Sequence, residues 1–225
     1  MTKKRFNIEN PSDFTSNRLS AIISVGGDNV EELEIEFKNL IDYPVYDRLR
    51  NTYFKEAAVI TQTNFYIDNA HEEIAAARIA LRIRDTGDSL MMTLKIPQEI
   101  GNMEYHGEIH PAILDEEHID ENQLPENIRQ QLESHGIALD SLSIVGALST
   151  ERREIPYDGG LLVLDASHYL DTEDFELEYE VSDYESGLEK FETFLSQQGI
   201  QSKKPLNKIQ RFYARHKALT SKSLS

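Results

Sequence analysis

The chain has 225 residues, and its 23 Lys and Arg against 40 Asp and Glu give a formal net charge of −17 and a pI near 4.8. So acidic a chain is ill suited to unaided binding of duplex nucleic acid or an anionic membrane, both of which need a net positive face, and the lack of Cys excludes disulfides, thiolate zinc sites and cysteine nucleophiles. A hydrophobic content of 39% beside 28% charged residues is globular, and with no apolar stretch long enough for a signal peptide or membrane span a cytoplasmic setting is expected.

Residues 1–30 lack sustained periodicity and are expected to form a partly disordered leader, with one short element at Leu19 to Val25. From Glu31 strict alternation begins, with Glu32, Glu34, Glu36 and Lys38 on one face and Leu33, Ile35 and Phe37 on the other, which is a strand with two unlike faces. Asp42 to Phe54 has helical spacing in Val45, Leu49 and Tyr53. Gln62 to Asp68 is a strand, and a short helix near Ala70 to Ala77 leads into Arg78 to Asp85, where Arg82 and Arg84 share a face opposite Leu81 and Ile83. The turn Thr86-Gly87-Asp88 folds Leu90 to Ile96, carrying Lys95, back as a hairpin.

Asn102 to His110 is a further strand with Glu104, His106 and Glu108 on one side, and the acidic segment Asp115 to His135 reads as a helical insertion. Ser143 to Ile155 and Leu161 to Tyr169 form a hairpin turned by Asp158-Gly159-Gly160. Asp174 to Val181 then alternates Asp174, Glu176, Glu178 and Glu180 against Phe175, Leu177 and Tyr179. Two helices follow, Tyr184 to Gln198 and Leu206 to Leu219, the second carrying Lys208, Arg211, Arg215 and Lys217. The expected organisation is a leader at 1–30, one domain at 31–217 and a frayed Ser-rich tail at 218–225.

About eight antiparallel strands with outer helices suit an α+β fold built on a closed barrel, which leaves no sheet edge to protect. If the apolar alternates pack outward under the helices, the lumen is charged. Carboxylates from the first and last strands would then face Lys38, Arg82, Arg84, Lys95 and Arg152. Guanidinium and ammonium groups match phosphate oxygens, and carboxylates at i and i+2 of a strand suit Mg²⁺, so the pattern describes a site for a metal–triphosphate complex. The acid-x-acid-x-base pattern by itself is expected ~0.7 times by chance in such a chain, so the weight lies on the conjunction of several strands.

Glu34-Ile-Glu36-Phe-Lys38 resembles the E-x-E-x-K signature of the CYTH superfamily, the triphosphate tunnel metalloenzymes. Later segments resemble that family in order: Gln62 to Asp68, Ala80 to Arg84, Thr93 to Lys95, Leu148 to Arg152, Leu162 to Asp165, Phe175 to Tyr179 and Asn207 to Phe212. The similarity spans about Glu31 to His216 and is strongest to uncharacterised CYTH proteins of Gram-positive bacteria. It implies an eight-stranded closed antiparallel tunnel, with a charged lumen and helices outside, that binds a triphosphate-containing small molecule with Mg²⁺ or Mn²⁺. Carried over, Glu34, Glu36, Glu176 and Glu178 are metal ligands, with Glu108 and Asp165 as lesser candidates. Lys38, Arg82, Arg84, Lys95 and Arg152 grip the phosphates, with Lys208 and Arg211 at one mouth. Glu34, Glu36, Lys38 and Arg152 carry the catalysis.

The resemblance implies a metal-dependent triphosphatase releasing the terminal phosphate; a class IV adenylate cyclase and a non-catalytic triphosphate-binding module are the alternatives. No H-E-x-x-H, Walker loop, G-x-G-x-x-G or G-x-S-x-G is present. His106 and His110 share a strand face but stand too far apart to chelate together, and the sequence leaves the oligomeric state open.

Overall fold

The computed structural model describes residues 21–24, 30–203 and 205–223, and most of the leader expected at residues 1–30, namely 1–20 and 25–29, lies outside them. Among the described residues nine strands follow in chain order: β1 (Ala21–Ser24), β2 (Val30–Ile41), β3 (Ile60–Asp68), β4 (Ala80–Asp85), β5 (Leu90–Pro97), β6 (Asn102–Glu108), β7 (Ser143–Tyr157), β8 (Gly160–Tyr169) and β9 (Thr172–Val181). All pair antiparallel in the order β1-β2-β6-β5-β4-β3-β7-β8-β9, and a further β2–β9 pairing closes eight of them, β2 to β9, into a barrel. The closure depends on the length of β2. Its first half pairs with β6 as far as Glu34 opposite Asn102, and its second half pairs with β9 from Ile35 opposite Val181 to Ile41 opposite Phe175. The short β1 lies within the expected leader and pairs with the start of β2.

Alternation decides which face is inside. Tyr66, Leu148 and Tyr169 share the inward face and form a third, smaller cluster with Phe212, while most apolar alternates point outward into two cores. One sets Leu81, Ile83, Met92 and Leu94 against Ile128 and Leu132 of α3 (Glu126–Ser134). The other sets Leu162, Leu164, Leu177 and Tyr179 against Tyr46 and Leu49 of α1 (Tyr43–Thr52) and against Phe191 and Phe194 of α4 (Tyr184–Gln197). Each such side chain gains about 1.5–3 kcal/mol from full burial, and the helices need an apolar sheet face to cover their own. The charged alternates are left with the lumen.

Local signals set the helix starts. Asp42 accepts a hydrogen bond from the Val45 amide (3.0 Å) and Asp183 from the Ser186 amide (2.9 Å), satisfying amides that the first turns of α1 and α4 leave free. The segment Asp115 to His135, expected to be helical throughout, is helical only from Glu126. Before it the chain makes single 3-10 turns, at Pro111–Asp115 and at Glu121–Gln123, where Asp120 and Gln123 cap one another. The last helix, α5 (Lys208–Ser223), continues past Leu219 and lies across one end of the barrel. Gly146 is its seat: a Cβ there would fall 2.0 Å from the Phe212 ring, so any side chain would displace the helix.

Candidate active site

A cavity of about 670 Å³ runs through the barrel. Its walls include Glu32, Glu34, Glu36 and Lys38 of β2, Arg82 and Arg84 of β4, Lys95 of β5, Glu104 of β6, Arg152 of β7, Glu178 and Glu180 of β9, and Lys208 of α5. Cross-strand register explains the convergence, because residues directly opposite in an antiparallel pair share a face. Glu36 faces Glu180, Lys38 faces Glu178, Arg152 faces Asp165, and Asp165 faces Glu176.

One half of the lumen is an ion-pair cluster. Arg152 donates Nε to Asp165 Oδ1 (2.9 Å), and its Nη2 to Asp165 Oδ2 (2.7 Å) and to Glu178 Oε2 (2.6 Å). Lys208 reaches Asp165 (2.7 Å), Glu178 (2.6 Å) and Glu176 (3.0 Å), and Arg211 bonds Glu176 (3.0 Å) and Asp174 (2.8 Å). Burial would raise Glu178, but Lys208, Arg152 and Lys38 outweigh it and hold the carboxyl well below its usual range. The same carboxylates raise Lys208 and Arg152 despite their burial. Asp165, Glu176 and Glu178, expected as metal ligands, are thus neutralised by three cations expected to hold phosphate. The sequence could place these groups on one face but could not show that α5 brings Lys208 and Arg211 onto them.

The other half centres on Glu34. Lys95 Nζ donates to Glu34 Oε2 (2.6 Å) and pairs with Glu104, while Lys38 pairs with Glu36. Burial, with Glu104 and Glu36 alongside, raises Glu34 well above the ordinary carboxyl value. Glu104 goes the other way: Lys95, His106 and Arg82 overcome its burial. Glu180 is likewise pushed up to about 7 by burial and by Glu178 and Glu36, against the pull of Arg152. This crowding of carboxylates with like charge is what a divalent cation relieves. By donor chemistry the oxygen set of Glu34 and Glu36 fits a hard ion such as Mg²⁺ or Mn²⁺.

Opposite stand the arginines. Arg84 donates Nε to Asn64 Oδ1 (3.1 Å). Arg82 forms no ion pair with a described residue, and its buried Nε has no hydrogen-bond partner among them. Burying a guanidinium nitrogen unsatisfied is costly, and a phosphate oxygen is the acceptor its planar fork matches. Arg78 stands at the rim, exposed, where its backbone φ of 61° closes α2 (Glu73–Ala76).

Of the expected site residues, Glu34, Glu36, Lys38, Arg82, Arg84, Lys95, Arg152, Glu178 and Lys208 line the cavity, and Asp165, Glu176 and Arg211 meet them behind Lys208. Glu108 is exposed at the end of β6 and does not line it. Glu32, Glu104, His106 and Glu180 carry lumen chemistry although no site role was expected of them. All four stand on the polar faces that alternation already marked on β2, β6 and β9; what spacing could not supply was the cross-strand partner of each. His106 is separated from His110, which is exposed and caps the turn at Pro111.

The family model for the CYTH domain matches residues 32–213. YjbK of Bacillus subtilis (strain 168), assigned by name as a triphosphatase, is 33% identical over 185 residues, covering 81% of this chain and 95% of that protein. A crystal structure from Bacillus halodurans, of a protein assigned by name as an adenylate cyclase, superposes with a TM-score of 0.74 at 30% identity, covering 81% of this chain and 98% of that one. HpAC1 from Hippeastrum, described as an adenylyl cyclase revealing a dominant triphosphatase activity, shares the fold with a TM-score of 0.68 at 24% identity, covering 81% and 96%.

Proposed function

The chain belongs to the CYTH domain family, and from that premise we propose that it is a divalent-metal-dependent triphosphatase acting on inorganic tripolyphosphate or an organic triphosphate held in the barrel. The observation that carries the reading is Arg82, a lumen arginine whose buried Nε has no hydrogen-bond partner among the described residues, standing with Arg84 and Lys95 across from Glu34 and Glu36. That arrangement offers cations to a polyanion and oxygens to a metal within one enclosed space. The relative assigned as a triphosphatase supports the same activity. No helix among the described residues is long and apolar enough to cross a membrane, and the cytoplasmic setting expected from the sequence is part of the proposal.

Arg82, Arg84, Lys95 and Lys38 bind and orient the phosphate chain, offsetting its charge where walls of low dielectric make each contact stronger than in water. Arg152, Lys208 and Arg211 act through their carboxylates: they fix Asp165, Glu176 and Glu178 and so hold one wall rigid. Glu34 and Glu36 would hold Mg²⁺ or Mn²⁺, which would polarise phosphate oxygens and stabilise the charge that develops on them. Glu180, opposite Glu36 in the β2–β9 pair, would orient a water and take its proton. The enclosing barrel keeps bulk water from the reacting phosphorus.

Phosphate release from a panel of triphosphates, with Mg²⁺ and with Mn²⁺, tests the reading. Turnover that needs metal and is lost in Glu34→Gln supports it; a variant as fast as the parent removes Glu34 from the metal site. The Bacillus halodurans relative favours a second reading, a class IV cyclase, in which the ribose 3′-hydroxyl attacks the α-phosphorus and pyrophosphate leaves. ATP yielding cyclic AMP and pyrophosphate, in place of ADP and phosphate, would decide for it.

A further inference from the structure

Two residues before Glu34, on the same face of β2, begins a second group of donors. Glu32, Glu104 and His106 are 5%, 2% and 9% exposed, and each presents one ligand atom within 4.8 Å of the others. His106 Nε2 is 3.3 Å from Glu32 Oε1 and 3.2 Å from Glu104 Oε2. The register imposes the meeting, since Glu32 lies directly opposite Glu104 in the β2–β6 pair, and His106 is two residues along on the same face. On the other side of the imidazole, Nδ1 is 3.0 Å from the hydroxyl of Thr93, which stands opposite His106 in the β5–β6 pair. That contact holds the ring by one nitrogen and turns the other toward the carboxylates, the arrangement by which proteins orient a metal-ligating histidine. Glu104 Oε1 is buried and accepts no well-formed hydrogen bond, although Lys95 pairs with it as an ion.

We propose that Glu32, Glu104 and His106 form a second metal site, distinct in donor chemistry from the all-oxygen pair Glu34 and Glu36, and selective for a divalent first-row transition ion. One imidazole nitrogen beside two carboxylate oxygens favours ions such as Co²⁺, Mn²⁺ or Zn²⁺ over Mg²⁺, which prefers an all-oxygen, largely hydrated shell. Glu104 lies between the two sites, in contact with His106 and, across Lys95, with Glu34. These side chains lie on β2 and β6, and the site does not depend on the reaction the barrel performs.

The test is to load the full-length protein with one equivalent of Co²⁺ or Mn²⁺ in excess Mg²⁺ and look for nitrogen hyperfine coupling by pulsed electron paramagnetic resonance. Nitrogen coupling in the parent, lost in His106→Gln with affinity reduced more than ~100-fold, is expected; Thr93→Val, which removes only the orienting hydroxyl, should weaken binding ~10–100-fold. Glu36→Gln should leave the nitrogen signal in place. A parent spectrum without nitrogen coupling, or a signal unchanged in His106→Gln, overturns the site, and the parent spectrum decides even if that variant does not fold. Because the readout is spectroscopic, a site confirmed in a protein that cleaves no triphosphate would count against the proposed activity alone.

Discussion

Arg152 and Asp165, opposite one another on β7 and β8, form a two-pronged ion pair in which Nε and Nη2 each meet one carboxylate oxygen, at 2.9 and 2.7 Å. Asp165 is fully buried and Arg152 nearly so. A pair so removed from water is held less by its own attraction than by the cost of leaving either partner alone.

Asp165→Asn should therefore destabilise the fold by about 3–5 kcal/mol, by stranding part of the charge of Arg152 and Lys208. Arg152→Met, which removes one charge, should be rescued in part by pairing it with Asp165→Asn. Urea unfolding of the singles and the double variant measures this, and strictly additive losses would show that the two residues are not coupled.

The seat of α5 is equally specific. Gly146→Ala puts a methyl group into the Phe212 ring and should cost about 1–3 kcal/mol by overpacking, a fall in Tm of roughly 2–12 °C. Since α5 carries Lys208 and Arg211, the variant should also loosen the cluster around Glu176. A thermal melt superimposable on that of the parent would mean that Phe212 does not rest on Gly146.

Glu180 gives stability a pH dependence. Its pKa is about 7 in the folded chain against a usual 4.5, so the folded state holds the proton more tightly than the unfolded one. The stabilisation is complete below about pH 4.5 and is lost as pH rises through about 7, with an upper limit of ~3 kcal/mol. In metal-free buffer Glu180→Gln should remove this decline, so that the variant gains on the parent between pH 5 and 8. A stability difference constant across that range would contradict the placement.

Much of the architecture was legible because period-2 alternation reports which residues share a face. The polar row Glu32, Glu34, Glu36, Lys38 and its counterpart on β9 came straight from spacing. Alternation does not say which charges neutralise each other. Arg152, Lys208 and Arg211 were readable as cations in the right place, but their pairing with Asp165, Glu176 and Glu178 depends on where α5 lands. That in turn depends on a glycine at 146 and a phenylalanine at 212, 66 residues apart in the chain. His106 was weighed against His110, its neighbour along the strand, whereas its partners lie across the sheet on β2 and β5.

Under the proposed function the lumen grips a triphosphate through cations such as Arg82. Equilibrium titration of a non-hydrolysable triphosphate with Mg²⁺, into the parent and into Arg82→Ala, tests it most directly. One saturable site per chain is expected, weakened ~10–100-fold in the variant, as loss of a charged hydrogen-bonding group implies. No saturable binding, or equal affinity in the two proteins, would contradict it.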